Sequence, residues 1–213
     1  PLIAAVHSVR NPHTVVNDAE WLAKAPVLVA NGRWVPPAGV EAPIEGAAWV
    51  GLCDGRPACA WVGPEYAMDL APNCVDDWFE DLMTRVECFE IGGDWIDRPW
   101  DLVAKNAAAI TRDFHEEKRV GVTNRHLTTA ALIGPADRLF VHETARIDPY
   151  TVFDTTNGPI TVGPNVWVQP FTRVEGPCFI DRDTQLFRAN LRGGVTLGAN
   201  CRIGGEVEET IVH

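Results

Sequence analysis

Residues 162–186 read VGPNVWVQPFTRVEGPCFIDRDTQL, and an aliphatic side chain returns at every sixth position of this stretch. Those positions are Val162, Val168, Val174, Ile180 and Leu186. Working outward, the same spacing relates Val141, Ile147 and Phe153 upstream, and Leu191, Leu197 and Ile203 downstream. A six-residue repeat predicts short strands that alternate with corners, which is the pattern of a three-faced parallel β-helix.

A second periodicity supports this prediction, because small or β-branched residues stand four positions after most of the aliphatic ones. They are Ala145, Thr151, Val166, Thr172, Thr184, Val195, Cys201 and Val207. We expect the aliphatic residue to point inward and the small one to pack near a corner. At roughly 18 residues per coil, residues 136–213 form about four coils. A β-sandwich of short strands is the alternative.

The first part of the chain, residues 1–135, has a different pattern. The apolar run that ends at Ala30 and the runs 49–53 and 58–62 are typical of strands, and a hairpin connection joins the last two. Helical spacing then relates Val75, Phe79, Leu82 and Val86, and it returns from Val103 to Phe114 behind Pro99. Strands followed by helices predict a partial α/β domain.

Composition excludes two classes of partner. The 213 residues carry a net charge of −11, with 18 Lys and Arg against 29 Asp and Glu. Binding nucleic acid or an anionic membrane surface requires clustered cations, so we expect neither. Six dispersed cysteines indicate reduced thiols and a cytoplasmic protein. Zinc is not expected, because the repeat contains only His142 and His213.

Four stretches resemble one known family. They are residues 27–37 (VLVANGRWVPP), 98–102 (RPWDL), 157–164 (NGPITVGP) and 204–211 (GGEVEETI). Together they are similar to the bacterial GlmU-like family, in which a sugar nucleotidyltransferase domain is fused to a left-handed β-helix acetyltransferase. The resemblance covers nearly all of the chain.

The resemblance implies two reactions. The first domain would join a sugar 1-phosphate to a nucleoside triphosphate with Mg²⁺, and the β-helix would move an acetyl group from acetyl-CoA to an amino sugar, as in UDP-N-acetylglucosamine biosynthesis. It also implies a homotrimer. Two alternatives remain: an acyltransferase with a relic first domain, and a trimer that binds a sugar nucleotide without catalysis.

Candidate residues in the first domain follow the strand that ends at Ala30. Asn31 and Arg33 are candidates for substrate binding, with Arg33 suited to phosphate. Asn31 also stands near the place where related enzymes carry a metal-binding Gly-Asp, so it is a weak candidate metal ligand. An Asn-Gly turn with a surface arginine is the alternative. A further weak metal candidate is Asn124, in a Gly-Val-Thr-Asn-Arg string. Asp101 is expected to stabilise a helix N-terminus.

In the β-helix, Glu206 is the candidate catalytic residue because two glycines precede it and allow close approach of the backbone. Arg173, Asn190 and Arg192 are candidates for substrate binding at outward positions. Solvated arginines, and an asparagine stacked inside a corner, are the alternatives.

Two departures from the family pattern predict an incomplete enzyme. Nothing in residues 1–33 resembles the Gly- and Arg-rich phosphate loop of a nucleotidyltransferase, and the catalytic histidine and lysine-bearing loop of the acetyltransferase would fall just beyond His213. The chain also opens on Pro1 without an initiator Met. We therefore expect these residues to be an internal piece of a longer chain.

Overall fold

The computed structural model describes residues 13–15, 18–39, 46–70, 74–117 and 129–213. These residues form two compact units, which span Pro1–Ile96 and Asp97–His213. All six cysteines are free thiols.

A four-stranded sheet organises the first unit. Its strands are β1 (Val27–Ala30), β3 (Trp49–Cys53), β4 (Arg56–Val62) and β5 (Glu87–Glu90), in the order β1-β4-β3-β5. β4 is antiparallel to β1 and to β3, so the predicted hairpin is confirmed, whereas β5 runs parallel to β3. A separate two-stranded ribbon pairs β2 (Trp34–Val35) with β6 (Asp94–Trp95).

Within the described part of the first unit, three helices accompany this sheet: α1 (Ala19–Leu22), α2 (Pro64–Ala67) and α3 (Val75–Met83). The helical spacing in the sequence correctly predicts α3, whose Phe79 and Leu82 are each 1% exposed. Both side chains belong to one apolar cluster with Val50 and Val62 of the sheet. The core of the first unit therefore lies between α3 and the sheet.

The second unit opens with the long helix α4 (Pro99–Glu116), as the spacing predicts. The Asp101 carboxylate accepts hydrogen bonds from the backbone N–H groups of Asp97 (2.9 Å) and Arg98 (2.8 Å). Its predicted role at the helix N-terminus is thus confirmed. Neither α4 nor any other helix in the described part of the chain is long and apolar enough to cross a membrane.

A parallel β-solenoid makes up the rest of the second unit. Face A contains β7 (Ala131–Ile133), β10 (Val152–Asp154), β13 (Arg173–Glu175) and the second halves of β15 (Gln185–Leu191) and β17 (Arg202–Val207). Face B contains β8 (Leu139–Val141), β11 (Ile160–Val162), β14 (Cys178–Ile180), β16 (Val195–Leu197) and β18 (Ile211–Val212). Face C contains β9 (Arg146–Ile147), β12 (Trp167–Val168) and the first halves of β15 and β17. A 3-10 turn, Ala136–Arg138, connects β7 to β8.

The solenoid core consists of the residues that the six-residue spacing selects. All of them are buried except Ile147 and Ile203, which are half-buried. The small residues four positions later are also buried, apart from the half-buried Cys201 and Val207. Aliphatic side chains of successive rungs therefore stack along the axis and exclude water.

The number of coils differs from the prediction. Five strands on face B correspond to about five turns, one more than expected. The first rung, β7, precedes residue 136, and the coils become shorter along the chain. Face-A neighbours Val152 and Arg173 are 21 residues apart, whereas Arg173 to Asn190 is 17 and Asn190 to Glu206 is 16.

Helix α4 packs on face B of this solenoid, in the same compact unit. Asn106 on α4 is 7% exposed, and its side-chain amide donates a hydrogen bond to the Gly194 carbonyl (2.8 Å). Its side-chain oxygen accepts one from the Thr196 hydroxyl (2.8 Å). A functional domain boundary at residues 135–136 stays a prediction.

Candidate functional site

The first unit contains a cavity of about 300 Å³ at the point where β1 ends. The hairpin between β3 and β4, helix α3 and strand β6 supply its other walls. The lining residues are Asn31, Arg33, Arg56, Pro57, Asp76, Glu80 and Trp95. The two candidates that the sequence places after β1, Asn31 and Arg33, are therefore brought to one cavity.

Backbone hydrogen bonds fix the position of Asn31. Its N–H donates to the Ala58 carbonyl (2.8 Å), and its own carbonyl accepts from the Trp34 N–H (2.9 Å). The side-chain oxygen of Asn31 accepts a hydrogen bond from the backbone N–H of Arg33 (3.1 Å). The turn that the alternative predicts is therefore present, and it also presents the exposed Arg33 side chain at the cavity.

A second arginine, Arg56, lies over the ring of Trp95, with its guanidinium carbon 4.0 Å from the ring centroid. Trp95 is 8% exposed, and its indole N–H donates to the Cys53 carbonyl (3.0 Å). A ring held in this way restricts the guanidinium through a cation–π contact. Sequence reasoning assigned Arg56 only to a hairpin, because the pairing of β2 with β6 that places Trp95 is not visible in either strand alone.

Two carboxylates, Asp76 and Glu80, line the cavity from α3. Their spacing of four puts them on one side of the helix, which was the signal available in the sequence. With the side-chain oxygen of Asn31 they make an all-oxygen donor set, the kind that Mg²⁺ accepts alongside water and substrate phosphates. Among the described residues no group of three His, Cys, Asp or Glu side chains is placed to hold a metal ion, and Asn124 lies outside those residues.

In the second unit, the structure brings the β-helix candidates to a single exposed face. Arg173 of β13 pairs in register with Asn190 of β15, and Asn190 pairs with Glu206 of β17. Arg192 follows directly after β15 and contacts Glu206, with 3.4 Å between guanidinium nitrogen and carboxylate oxygen. All four candidates therefore occupy neighbouring rungs at face A.

Ion pairs engage both arginines of this face. Arg173 contacts Asp154 and Glu175, each at 2.7 Å, and Arg192 contacts Glu206 and Glu208, each at 3.4 Å. Hydrogen bonds from Thr156 and the charge of Arg173 hold the pKa of Asp154 below its usual value. The carboxylates that neutralise Arg173 belong to the site too, and sequence reasoning missed them.

Asn190 differs from its neighbours because its side-chain oxygen is buried and accepts no hydrogen bond from any described residue. It lies on face A, in register with Arg173 and Glu206, and not at the corner that the alternative gave it. The corner positions belong instead to residues such as Asn165 and Asn200, which have φ of 56° and 62°. A buried oxygen without a donor is costly, and a ligand hydroxyl or ammonium group would satisfy it.

The Asp154 ion pair predicts a pH dependence of stability. A folded-state pKa below the unfolded value of about 3.9 means that the carboxylate stabilises the fold above that pH and that this contribution is lost as the pH falls. We expect Asp154→Asn to lower the free energy of unfolding by about 1 kcal/mol at pH 7. Urea titrations at pH 7 and pH 3 would test this.

The mutational difference should shrink at pH 3, because the carboxyl of the unfolded wild-type chain is then largely protonated and must lose its proton before the ion pair can form. Asp137→Asn in the exposed 3-10 turn is the control and should change stability little at either pH. A difference for Asp154→Asn that stays constant with pH would contradict the assignment.

The family model described as sugar nucleotidyl transferase matches residues 5–120, which is more than half of the 213-residue chain. No curated protein and no solved structure matches the chain. The matched segment includes the cavity of the first unit with both its arginines and both its carboxylates. The chain belongs to the sugar nucleotidyl transferase family.

Proposed function

We propose that the first unit transfers a nucleotidyl group from a nucleoside triphosphate to a sugar 1-phosphate at the Asn31–Arg33 cavity. In this reaction a phosphate oxygen of the sugar attacks the α-phosphorus, a new P–O bond forms, and pyrophosphate leaves with the electrons of the broken bond. The observation that carries the proposal is the gathering of two arginines and two carboxylates in one cavity of a family member.

Arg33 and Arg56 are suited to bind the phosphates, since a guanidinium group offers parallel N–H donors to two phosphate oxygens. Trp95 supports Arg56 in one orientation, so less side-chain entropy is lost when the substrate binds. Asp76, Glu80 and the Asn31 oxygen would hold Mg²⁺. When bound, Mg²⁺ neutralises charge on the reacting phosphates.

The test is an LC–MS assay of the full-length protein with Mg²⁺, a panel of sugar 1-phosphates and a panel of nucleoside triphosphates. We expect a nucleotide-sugar product, and we expect Arg56→Lys to reduce kcat/KM at least about tenfold because lysine keeps the charge but loses the planar donors. Arg85→Gln is the matched control. Arg85 belongs to the same unit but pairs with Asp81 (2.9 Å) and does not line the cavity.

Either of two results would oppose the proposal. Absence of any nucleotide-sugar product under all substrate combinations would leave a sugar-nucleotide-binding role for the first unit, which equilibrium binding of a UDP-sugar would detect. Equal losses of kcat/KM in Arg56→Lys and Arg85→Gln would mean that Arg56 does not bind the substrate phosphates.

A second activity is supported by the unsatisfied oxygen of Asn190 beside Glu206 on face A. We propose that the solenoid is of the left-handed hexapeptide type and transfers an acetyl group from acetyl-CoA to an amino sugar. Glu206, with its side chain 63% exposed, would take the ammonium proton, and Asn190 and Arg192 would bind the substrate. The freed amine would attack the thioester carbonyl, so that a C–N bond forms, the C–S bond breaks and coenzyme A leaves as the thiol. The two reactions together would serve UDP-N-acetylglucosamine synthesis, in the cytoplasm, where six reduced thiols persist.

Adding acetyl-CoA and glucosamine 1-phosphate to the same assay tests this second activity. We expect an acetylated product that Glu206→Gln abolishes while the nucleotidyl product is unchanged. Acetylation without nucleotidyl transfer would favour an acyltransferase with a relic first domain. No acetylation, with nucleotidyl transfer intact, would restrict the chemistry to the first unit.

A further inference from the structure

A cavity of about 310 Å³ lies within the second unit, between helix α4 and face B of the solenoid. None of its described lining residues belongs to the Asn31–Arg33 cavity or to face A. Its apolar wall consists of Ala109, Ile110 and Phe114 on α4, together with Phe179 on β14. A cavity of this size with apolar walls fits a small organic molecule.

The solenoid side of this cavity is a row of three outward side chains. Thr161, Phe179 and Thr196 pair in register on β11, β14 and β16, and each stands between two buried, inward residues. Neighbouring strands are roughly 4.8 Å apart, so Thr161 and Thr196 are separated by about 10 Å along the solenoid axis.

The helix side of the cavity has a matching length. Asn106 accepts the hydrogen bond of Thr196 at one end, and Asp113 follows Asn106 by seven residues. At 1.5 Å per residue this separation is also about 10 Å. Because both Asp113 and Thr161 line the cavity, we infer that they lie at the same end of it, away from Asn106.

The hydroxyl of Thr161 lacks a partner at this end. Thr161 is 2% exposed, and no hydrogen bond joins its hydroxyl to any residue that the structure describes. The equivalent threonine two rungs later, Thr196, donates to Asn106 (2.8 Å). A nearly buried hydroxyl without a partner costs free energy, and a polar group of a ligand in the cavity would satisfy it.

Two carboxylates, those of Asp113 and Glu117, also line the cavity. Their spacing of four places them on one side of α4. Asp113 stands in the last turn and Glu117 at the C-cap, where the negative end of the helix dipole disfavours further negative charge. Arg112 pairs with Asp113 (3.1 Å), but the described lining residues include no Lys, Arg or His. This end of the cavity therefore favours a cation.

We propose that the cavity binds a small primary amine with an apolar body. An ammonium group has three N–H donors, which Asp113, Glu117 and the Thr161 hydroxyl can accept. The apolar body would lie beside Phe114 and Phe179. Phosphorylated substrates of the two proposed reactions are disfavoured here because both carboxylates would repel them, so the inference is independent of those reactions.

Binding of such an amine has a consequence for the second unit. The ligand would contact both α4 and face B, so it would stabilise the packing of the helix on the solenoid. We therefore expect the amine to raise the thermal midpoint of the protein and to slow hydrogen exchange of the backbone amides of α4.

Isothermal titration calorimetry of the full-length protein with phenylbutylamine, phenylbutanol and phenylbutyrate tests the proposal. The three probes share an apolar body and differ in the charge of the polar end. We expect saturable binding of the amine, binding of the alcohol that is weaker by about tenfold or more, and no binding of the carboxylate, since hydrogen bonds between charged groups are the stronger ones.

A substitution that fills the cavity tests its position. Ala109→Leu should weaken binding of phenylbutylamine at least about tenfold, because the larger side chain occupies the space between α4 and face B. Ala108→Leu is the matched control, since it adds the same side chain at an exposed position of the same helix. Thermal unfolding without ligand would establish that both variants are folded.

The polar end is tested by two further variants. Thr161→Val keeps the shape of the side chain and should weaken binding of the amine without lowering stability, because no hydrogen bond to a described residue is lost. Glu117→Gln should weaken binding of the amine but not of the alcohol. Glu116→Gln is its control, because Glu116 is exposed and does not line the cavity.

Three results would each overturn the proposal. They are the absence of saturable binding of phenylbutylamine, equal affinities for the amine and the alcohol, and unchanged binding of the amine by both Ala109→Leu and Thr161→Val. The second result would mean that the carboxylates do not take part in binding, and the third that the amine binds outside this cavity.

Discussion

Replacing Gly176 with alanine is expected to lower the free energy of unfolding of the solenoid by about 3 kcal/mol or more. A Cβ atom at this position would overlap the carbonyl of Gly158 and lie 2.9 Å from the carbonyl oxygen of Pro159. Both are backbone atoms of the neighbouring rung, so no side-chain rotation can relieve the overlap. The midpoint of urea unfolding, followed by circular dichroism, would measure the loss.

Hydrogen bonds on either side prevent the two rungs from separating. The Gly176 N–H donates to the backbone carbonyl of Asp154 (2.8 Å), and the Cys178 N–H donates to the backbone carbonyl of Pro159 (2.9 Å). Gly32→Ala is the matched control, because a Cβ at Gly32 meets no atom within 4 Å. If the two alanine variants unfolded at the same urea concentration, the assignment of a close backbone contact between rungs at Gly176 would be wrong.

Changing Asn106 to aspartate is expected to cost about 3 kcal/mol at pH 7, although the side chains have nearly the same shape. The amide of Asn106 donates to the Gly194 carbonyl, and a carboxylate oxygen would face that carbonyl without a proton between them. Because Asn106 is 7% exposed, the new charge is also removed from water. Helix α4 should then detach more readily from face B.

This loss should depend on pH in a defined direction. Burial and the facing carbonyl would raise the folded-state pKa of the new carboxyl above its unfolded value of about 3.9. Stability relative to the wild type should therefore be best below that value and decline as the pH rises through the raised folded-state pKa. Chemical denaturation at pH 4 and pH 7 measures this change.

The control for this substitution is Ala108→Asp, which adds the same charge at an exposed position of the same helix. It should lower stability only slightly and without the same pH dependence. Equal, pH-independent losses in the two variants would mean that Asn106 does not join α4 to the solenoid.

Local sequence pattern predicts the solenoid because each rung contacts only its neighbours. The six-residue spacing alone is therefore enough to predict that Val162, Val168 and Val174 point inward, without knowledge of the rest of the chain. The hairpin and the two longer helices are predictable for the same reason, since turn residues and apolar spacing act over a few positions. The predicted number of coils was one too low, because the first rung precedes residue 136 and coil length varies from 21 to 16 residues.

The candidate sites depend on contacts between residues distant in sequence. Asn31 and Arg33 are identifiable after β1, but Arg56, Asp76 and Trp95 join them only when the hairpin, α3 and β6 pack together. On face A the sequence indicates the arginines, and only the register of parallel strands reveals which carboxylates neutralise them.

The sequence by itself determined the repeating solenoid, the strand β1, the β3–β4 hairpin and helix α3 of the first unit, and the resemblance to sugar nucleotidyl transferases. The tertiary structure alone decided that α4 packs on the solenoid through Asn106 and that two arginines share one cavity. The physical reason is the separation along the chain of the residues that interact. Periodicity and turn chemistry act between residues that are near neighbours in the sequence. Cavities, ion pairs and opposed surfaces arise from close packing of segments that the sequence separates by tens of residues.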